Sequence, residues 1–407
     1  MIPVDQQRIR RSRTGLIAHD PDRALQGYTL FTPMFGDGTV YLLDMGGEIV
    51  HTWRLPYRPG LYGYLLDDGR LFYSGKVMED LERFEGWSRF KAGAALEVDW
   101  SSRVLWEVRH PDHHHDARRL RNGNVLLLCL RPVPDALRAR IRGGVPETET
   151  PAGIYGDYLV EMTTRGQIVW EWRSWEHLDP ETEVITPQDH RHERTHGNTV
   201  AELPDGNLVL SFRNVSTICI VDRPTGKITW KLGSPPLAQP HDPRPLENGH
   251  LLIFDNGPHR RDHPAPYSRV IEVDPHTRGI VWEYRDQSLF DFFSPYILGP
   301  GSTRSQYSAL IFPATFLVAH VLRRHHPTRR RSRRPCRARS ELIGGPVGRA
   351  IRPLLNWPEA IDEIQGPWAT LRSGRPAQVG SVDGPLRLGS DPGLDLGDVG
   401  GHRRTDD

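Results

Sequence analysis

Short apolar runs, each about the length of one strand, alternate with Gly-bearing turns through most of the first 296 positions. Two stretches show the pattern most clearly. THGNTVAELPDGNLVLSFRN runs from Thr195 to Asn214, and HDPRPLENGHLLIFDNG runs from His241 to Gly257. Each has a histidine at its start, a short extended run, an Asp-Gly or Asn-Gly turn and a second apolar run. Glycine in the second place of a two-residue turn suits type I′ geometry, which needs φ > 0 at both central positions. Each stretch therefore predicts a β-hairpin with a histidine at its entrance.

A second unit alternates with the first. It has an apolar run, an acid, a turn, then branched residues and a Trp. It appears as VYLLDMGGEIVHTW from Val40, ALEVDWSSRVLWEV from Ala95 and YLVEMTTRGQIVWEW from Tyr158. It returns from Thr217 to Leu232 and as VIEVDPHTRGIVWEY from Val270. Trp53, Trp106, Trp170, Trp230 and Trp282 thus recur roughly every 55 residues. Hairpins fill the gaps: YLLDDGRLFY from Tyr64, HDARRLRNGNVLLLCLR from His115, and the two already quoted. Four strands per repeat at this period predict an all-β fold, a β-propeller of four-stranded blades; a β-sandwich is the alternative. The recurring Trp residues are expected to pack between blades.

The organisation expected is an N-terminal extension over 1–26, a propeller domain over 27–298 opening with a strand in GYTLFTP from Gly27, and a tail over 299–407. Two long segments interrupt the blades, Pro132 to Gly156 and Trp175 to Arg194. Loops of this length in a compact domain are usually functional or disordered, and these two leave one end of the ring, either to cover its mouth or as plain surface insertions. Beyond Phe293 the strand pattern stops. The apolar run Ser308 to Leu322 is shorter than the roughly 20 residues a membrane span needs, and its expected local structure is at most a short helix over Ala309 to Leu322. An Arg-rich run, Arg323 to Arg339, and a Gly/Pro/Arg/Asp-rich remainder follow, a composition that predicts disorder. The preferred reading of this tail is that the native frame of the last blade has been lost there; a basic nucleic-acid-binding extension and a single-pass anchor are the alternatives.

Composition narrows the class little. The net charge is +1 and hydrophobic residues make up 37% of the 407 positions. Nothing global in that balance asks for a nucleic-acid or membrane partner. The 3 Cys are widely separated, which does not suggest a disulfide framework. The first residues carry basic side chains without an apolar stretch after them, so the expected context is cytoplasmic.

The candidate chemistry follows from the phase of the repeat. Aligned on their turns, His115-Asp116-Ala-Arg-Arg-Leu matches His241-Asp242-Pro-Arg-Pro-Leu position for position, and His196 enters the same strand two places further out. Arg213 ends the second strand of its hairpin and so returns to the same end as His196; Arg131 and Asn256 hold nearly equivalent positions. His115, His196, His241 and Arg213 are therefore expected near one axial mouth. Arginine offers a planar fork of donors for phosphate- or sulfate-like oxygens. A neutral imidazole is a nucleophile, and a protonated one a general acid. Together they suit transfer of an anionic group. A metal competes at Asp112-His113-His114-His115-Asp116, although neighbours along a regular strand face opposite ways. The site is read as holding no metal and needing no cofactor.

HHDARRLRNGN, THGNTVAELPDGNLVLSFRN and HDPRPLENGHLLIFDNG followed by SRVIEVDPHTRGIVWEY resemble the arylsulfotransferase family, over about Gly27 to Tyr296. The resemblance implies a six-bladed propeller, here incomplete at its last blade, because the closing LPNGN-type turn and final Trp-ending pair are replaced by the tail. It implies transfer of a sulfuryl group from a phenolic sulfate ester to a phenol, without a nucleotide donor. It further implies a sulfated histidine at His241, with His196, His115 and Arg213 as helpers. The partners implied are a small aryl sulfate and a phenolic acceptor. A non-catalytic propeller that binds ligands or proteins at its mouth is the reading of a different class.

Overall fold

A computed structural model describes residues 27–34, 36–286, 289, 292–296 and 308–309. They fall within the first of two units, 1–331; the second, 332–407, lies outside the described residues. The extension over 1–26, nearly all of the tail, and so the closing unit and the helix expected after Ala309, lie outside them as well.

The alternation of hairpin and Trp-ending pair becomes five four-stranded sheets, the blades of a propeller. Blade 1 holds Thr29–Phe31, Thr39–Leu43 and Ile49–Arg54, with Ser308–Ala309 parallel to Thr29–Phe31 as its fourth strand. Blade 2 runs through Arg58–Leu65, Leu71–Lys76, Gly93–Val98 and Val104–Arg109. Blade 3 is His113–Arg119, Val125–Pro132, Tyr155–Met162 and Ile168–Arg173. Blade 4 is Gly197–Glu202, Leu208–Phe212, Thr217–Val221 and Ile228–Leu232, and blade 5 is Pro240–Pro245, Leu251–Asp255, Arg269–Asp274 and Gly279–Tyr284. Each predicted hairpin supplies the two inner strands and each Trp-ending unit the two outer ones. The sixth blade implied by the resemblance is not among the described residues.

The second strands of blades 2 to 5 read as near-continuous apolar or small runs, mostly buried, and packing follows between neighbours. One core joins blades 1 and 2 through Leu30, Val40, Trp53, Leu71, Tyr73 and Leu96. Others join blades 2 and 3 around Phe72, Leu127 and Tyr158, blades 3 and 4 around Leu128, Leu159 and Leu210, and blades 4 and 5 around Val209, Ile218 and Ile271. Burying each Leu or Phe of these cores contributes about 1.5–3 kcal/mol. Trp53 and Trp230 are buried as expected. In blade 3 the buried indole is Trp172 rather than Trp170: Trp172 stacks on His177 at 4.9 Å and donates to the Gly226 carbonyl at 2.8 Å. Trp170, two places nearer the turn, is half-buried, as are Trp106 and Trp282.

The inner strands also touch one another around the axis. Arg244 of blade 5 donates to the Tyr62 hydroxyl of blade 2, and Arg118 of blade 3 donates to the Val200 carbonyl of blade 4 at 2.8 Å. The two interrupting segments are not loose insertions. Gly143–Val145 pairs in parallel with Ile185–His190 as a small two-stranded sheet, and the Thr186 amide donates to the Asn214 carbonyl at 2.9 Å, which seats that sheet over blade 4. Among the described residues no helix is long and apolar enough to cross a membrane.

Candidate active site

The innermost strands of blades 2 to 5 break their ladders at the same end. Pairing skips from Pro59↔Gly75 to Gly63↔Tyr73 in blade 2 and from His113↔Cys129 to Ala117↔Leu127 in blade 3. It skips from Gly197↔Phe212 to Thr199↔Ser211 in blade 4 and from His241↔Phe254 to Arg244↔Leu252 in blade 5. A bulge leaves residues unpaired, bends the strand and re-aims its side chains. At or beside each bulge one residue has left-handed backbone: Leu61 (φ 94°), His115 (47°), His196 (47°) and Asp242 (49°). None is glycine, so each conformation costs on the order of 1–3 kcal/mol.

The bulges overturn the expectation of strict alternation in blade 3. His114 and His115 do not face opposite ways: their Nδ1 atoms lie 2.7 Å apart, with one proton between them. His114 Nε2 sits 3.0 Å from the Asp157 carboxylate, and the other Asp157 oxygen accepts the Gly197 amide at 2.7 Å. Asp157, buried on the third strand of blade 3, thus braces both His115 and the residue after His196. No hydrogen bond joins the buried His113 ring to His114 or His115, so the run Asp112–Asp116 does not converge on one point. Among the described residues, no group of three or more His, Cys, Asp or Glu is arranged to hold a metal ion.

His115, His196, His241 and Arg213 come together. The His115 and His196 rings are 4.8 Å apart, and Phe90 stacks on the first at 4.7 Å and meets the second edge-on at 5.2 Å. Burial holds His115 neutral, far below the ordinary imidazole range, with His196, His114, His241 and Arg213 adding to the effect. Burial likewise pushes His241 down to about 3, helped by Arg213 and His196. Each positive or potentially positive group disfavours a proton on its neighbours.

His241 is held from both sides. Its Nδ1 lies 2.7 Å from Asn256 Oδ1 and 3.3 Å from the Gln239 carbonyl. Asn256 Nδ2 donates to the Ser294 carbonyl at 2.9 Å, which turns Oδ1 toward the ring. Both groups at Nδ1 accept, so Nδ1 carries the proton and Nε2 the lone pair. Asn198 Nδ2 and the Ser211 hydroxyl both donate to the Pro240 carbonyl, at 2.9 and 2.8 Å, and fix the strand just before His241. Asp242 takes no part in holding the ring and pairs with Arg244 at 2.7 Å.

His196 has an acidic partner that the repeat does not reveal. Its Nδ1 donates to the buried Glu193 carboxylate. Burial opposes charge on Glu193, but His196 and His192 outweigh it and hold the carboxyl well below its usual range. Arg213 Nη1 donates to Asp189 Oδ1 at 2.9 Å and to Asn214 Oδ1 at 2.7 Å; its Nε and Nη2 make no hydrogen bond among the described residues. Arg131, by contrast, stacks over Tyr158 at 3.8 Å and faces Asp112. It has no part in the cluster, whereas Asn256 does. Sequence reasoning missed Asp157, Glu193 and Asp189. The last two lie in the polar segment Trp175 to Arg194, whose unusual length was the available signal.

The model of the family described as "Arylsulfotransferase (ASST)" matches residues 102–239. That is about a third of the chain; it contains His115, His196 and Arg213 and stops just short of His241. No curated protein matches the chain. Among solved structures, similar chains include a protein of unknown function from Bacteroides caccae, 13% identical, covering 64% of this chain and 73% of its own with a TM-score of 0.38. Streptogramin B lyase is 12% identical over 68% of this chain and 73% of its own, with a TM-score of 0.37. The C-terminal WD40 domain of Sif2 is 8% identical over 62% and 53%, with a TM-score of 0.33.

Proposed function

We propose that the protein is an aryl-sulfate sulfotransferase that works without a nucleotide donor, through a sulfohistidine at His241. The family match supports sulfotransferase function in general terms; the finer assignment rests on the site. The observation that carries it is the state of His241: a neutral ring, with its proton held on Nδ1 by Asn256 and the Gln239 carbonyl, and a lone pair free on Nε2. A neutral, oriented imidazole is what nucleophilic attack needs.

In the first half-reaction Nε2 attacks the sulfur of the aryl sulfate. An N–S bond forms, the S–O(aryl) bond breaks, and its electron pair leaves on the phenolate oxygen. The charge that develops on the ring is carried by Nδ1–H against Asn256. His196, whose Nδ1 is backed by the Glu193 carboxylate, gives a proton to the departing phenolate. The free edge of Arg213 hydrogen-bonds the sulfuryl oxygens, with neutral His115 packed beside them. In the second half-reaction an acceptor phenol returns its proton to His196, its oxygen attacks the sulfur, and the N–S bond breaks. Phe90, stacked beside His115 and His196, gives the site an apolar wall suited to an aryl group. A purely ligand-binding mouth has no use for a lone pair held in place by two acceptors on the opposite nitrogen.

The test is intact-mass analysis after incubation with a nitrophenyl sulfate. An added mass of about 80 Da on His241, absent in His241→Asn, is the expected result. Full turnover by a folded His241→Asn variant overturns the assignment.

A further inference from the structure

Asp189 belongs to no repeat. It is delivered by Ile185–His190, one strand of the small sheet over the mouth, and it is buried beneath that sheet. Its Oδ1 accepts Arg213 Nη1 at 2.9 Å. Its Oδ2 accepts Gln239 Nε2 at 2.5 Å and the Thr186 hydroxyl. Gln239 in turn presents its carbonyl to His241 Nδ1. One carboxylate therefore ties the guanidinium on blade 4 to the bend that precedes the nucleophile on blade 5.

Its second consequence is electrostatic. Arg213 is the fixed cation of the cluster, and Asp189 offsets it at ion-pair distance. His115 and His241 add no charge of their own, because burial keeps both neutral. Sulfate and phosphate monoesters share a tetrahedral shape. They differ in charge, since a phosphate monoester loses its second proton near pH 6 and is a dianion where the sulfate ester is a monoanion. An extra negative charge a few ångströms from Asp189 meets a repulsion large enough to shift affinity tenfold or more.

We propose, resting on the reading of this site as a sulfuryl-transfer centre, that Asp189 is both the positioning residue for Arg213 and the residue that makes the site select a monoanionic sulfuryl ester over a dianionic phosphoryl ester. Asparagine in its place keeps the shape and one acceptor oxygen but removes the charge, and it can serve Arg213 or Gln239 but not both as a carboxylate does.

The experiment uses the full chain carrying His241→Asn, so that binding is measured without turnover, with and without Asp189→Asn. Affinities are measured for 4-nitrophenyl sulfate and 4-nitrophenyl phosphate at pH 7.5. Asp189→Asn should strengthen phosphate-ester binding relative to sulfate-ester binding at least tenfold, and Asp189→Glu should leave the ratio near its original value. In the chain with His241 restored, Asp189→Asn should lower kcat for the sulfate donor without raising KM. A ratio that does not move, or two esters weakened equally, overturns the proposal. A measurement on the chain with Asp189 intact guards against misfolding of the variant: the monoanionic 4-nitrophenyl methylphosphonate should bind at least tenfold tighter than the dianionic phosphate, and equal affinities refute the charge argument. Failure to sulfate His241 in the unaltered chain would count against the sulfotransferase reading alone, because the binding ratio is read without chemistry.

Discussion

Asn256 offers the sharpest test of the nucleophile. Asn256→Ala removes the 2.7 Å acceptor at His241 Nδ1 and leaves only the Gln239 carbonyl at 3.3 Å. The ring is then free to carry its proton on Nε2, where it blocks attack. Losing the partner of a buried polar group costs roughly 1–3 kcal/mol, so single-turnover sulfation should slow by about 5- to 150-fold if the whole loss falls on the transition state. The assay is release of nitrophenol in the first turnover, with the mass of the adduct as the check on stoichiometry. Asn256→Asp separates orientation from charge. It keeps an acceptor at Nδ1 but places a carboxylate there, which favours the imidazolium. With Asn256 in place, His241 is pushed down to about 3, so its own titration should leave the rate untouched near neutral pH. In Asn256→Asp an acid limb should appear at higher pH, with the rate falling as pH drops through the raised value. An Asn256→Ala rate within twofold of the unaltered protein, at full occupancy of the adduct, refutes the tautomer argument.

Three further outcomes are expected. Glu193→Gln removes the countercharge behind His196, so turnover should fall tenfold or more with weakly acidic leaving phenols and much less with nitrophenols; a uniform loss across a series of donors would rule out the general-acid role. Acid should destabilise the fold early, because His241 and His113 are each pushed down to about 3 from 6.5 by burial first of all. Between those values the unfolded chain binds more protons than the folded one, so their contribution is intact above pH 6.5 and is lost as pH falls, by about 1.4 kcal/mol per pH unit for each group; Tm should drop from pH 7 to pH 5, and His113→Phe should flatten that slope. Gly197→Ala would put a Cβ 2.9 Å from Asp157 Cγ and Oδ1, an overpacking expected to cost about 1–3 kcal/mol in denaturant unfolding, and a midpoint equal to that of the unaltered chain would show that Asp157 has room to move.

The blades were legible because the repeat is written in local terms: short apolar runs, a glycine in all but one of the quoted turns, a Trp two strands later. The convergence of His115, His196, His241 and Arg213 was legible for the same reason, since equivalent positions in neighbouring blades share an end of the axis. The tilt of each side chain was not, because a bulge is a mismatch between two strands and neither strand reveals it alone. His114 is the instructive case. Alternation placed it on the face opposite His115, yet the skip from His113↔Cys129 to Ala117↔Leu127 brings their Nδ1 atoms to 2.7 Å. The supporting carboxylates escaped for another reason. Asp157 sits on a third strand whose counterparts in other blades carry no acid there, and Glu193 and Asp189 come from a segment with no counterpart at all. The indole exchange in blade 3 has a packing cause: Trp172 reaches His177 and the Gly226 carbonyl, which Trp170, nearer the turn, does not.

The four bulges explain why the chemistry sits at this end of the ring. Inner strands crowd near a propeller axis, and a regular strand there would send every second side chain into the blade beside it. Breaking the ladder in each blade frees a short, left-handed stretch whose side chains turn toward the mouth, at a conformational cost of about 1–3 kcal/mol per site. The same backbone device then carries different residues. In blade 2 it presents Leu61, which joins Phe90, Phe84 and Trp87 in an apolar cluster. In blades 3 and 4 the left-handed residue is itself a histidine, His115 or His196. In blade 5 the left-handed residue is Asp242, and the histidine stands one place before it, still in register with Phe254. That offset separates His241 from the other two: its ring stays anchored to the second strand of its own hairpin, where Asn256 can reach Nδ1, while His115 leans on the neighbouring His114 and His196 on Glu193, which precedes its hairpin. A nucleophile must hold one nitrogen fixed while its other nitrogen gains a bond, and a proton carrier needs a partner that answers its change of charge. The blade 5 geometry meets the first requirement, and the pairing of His196 with Glu193 in blade 4 meets the second.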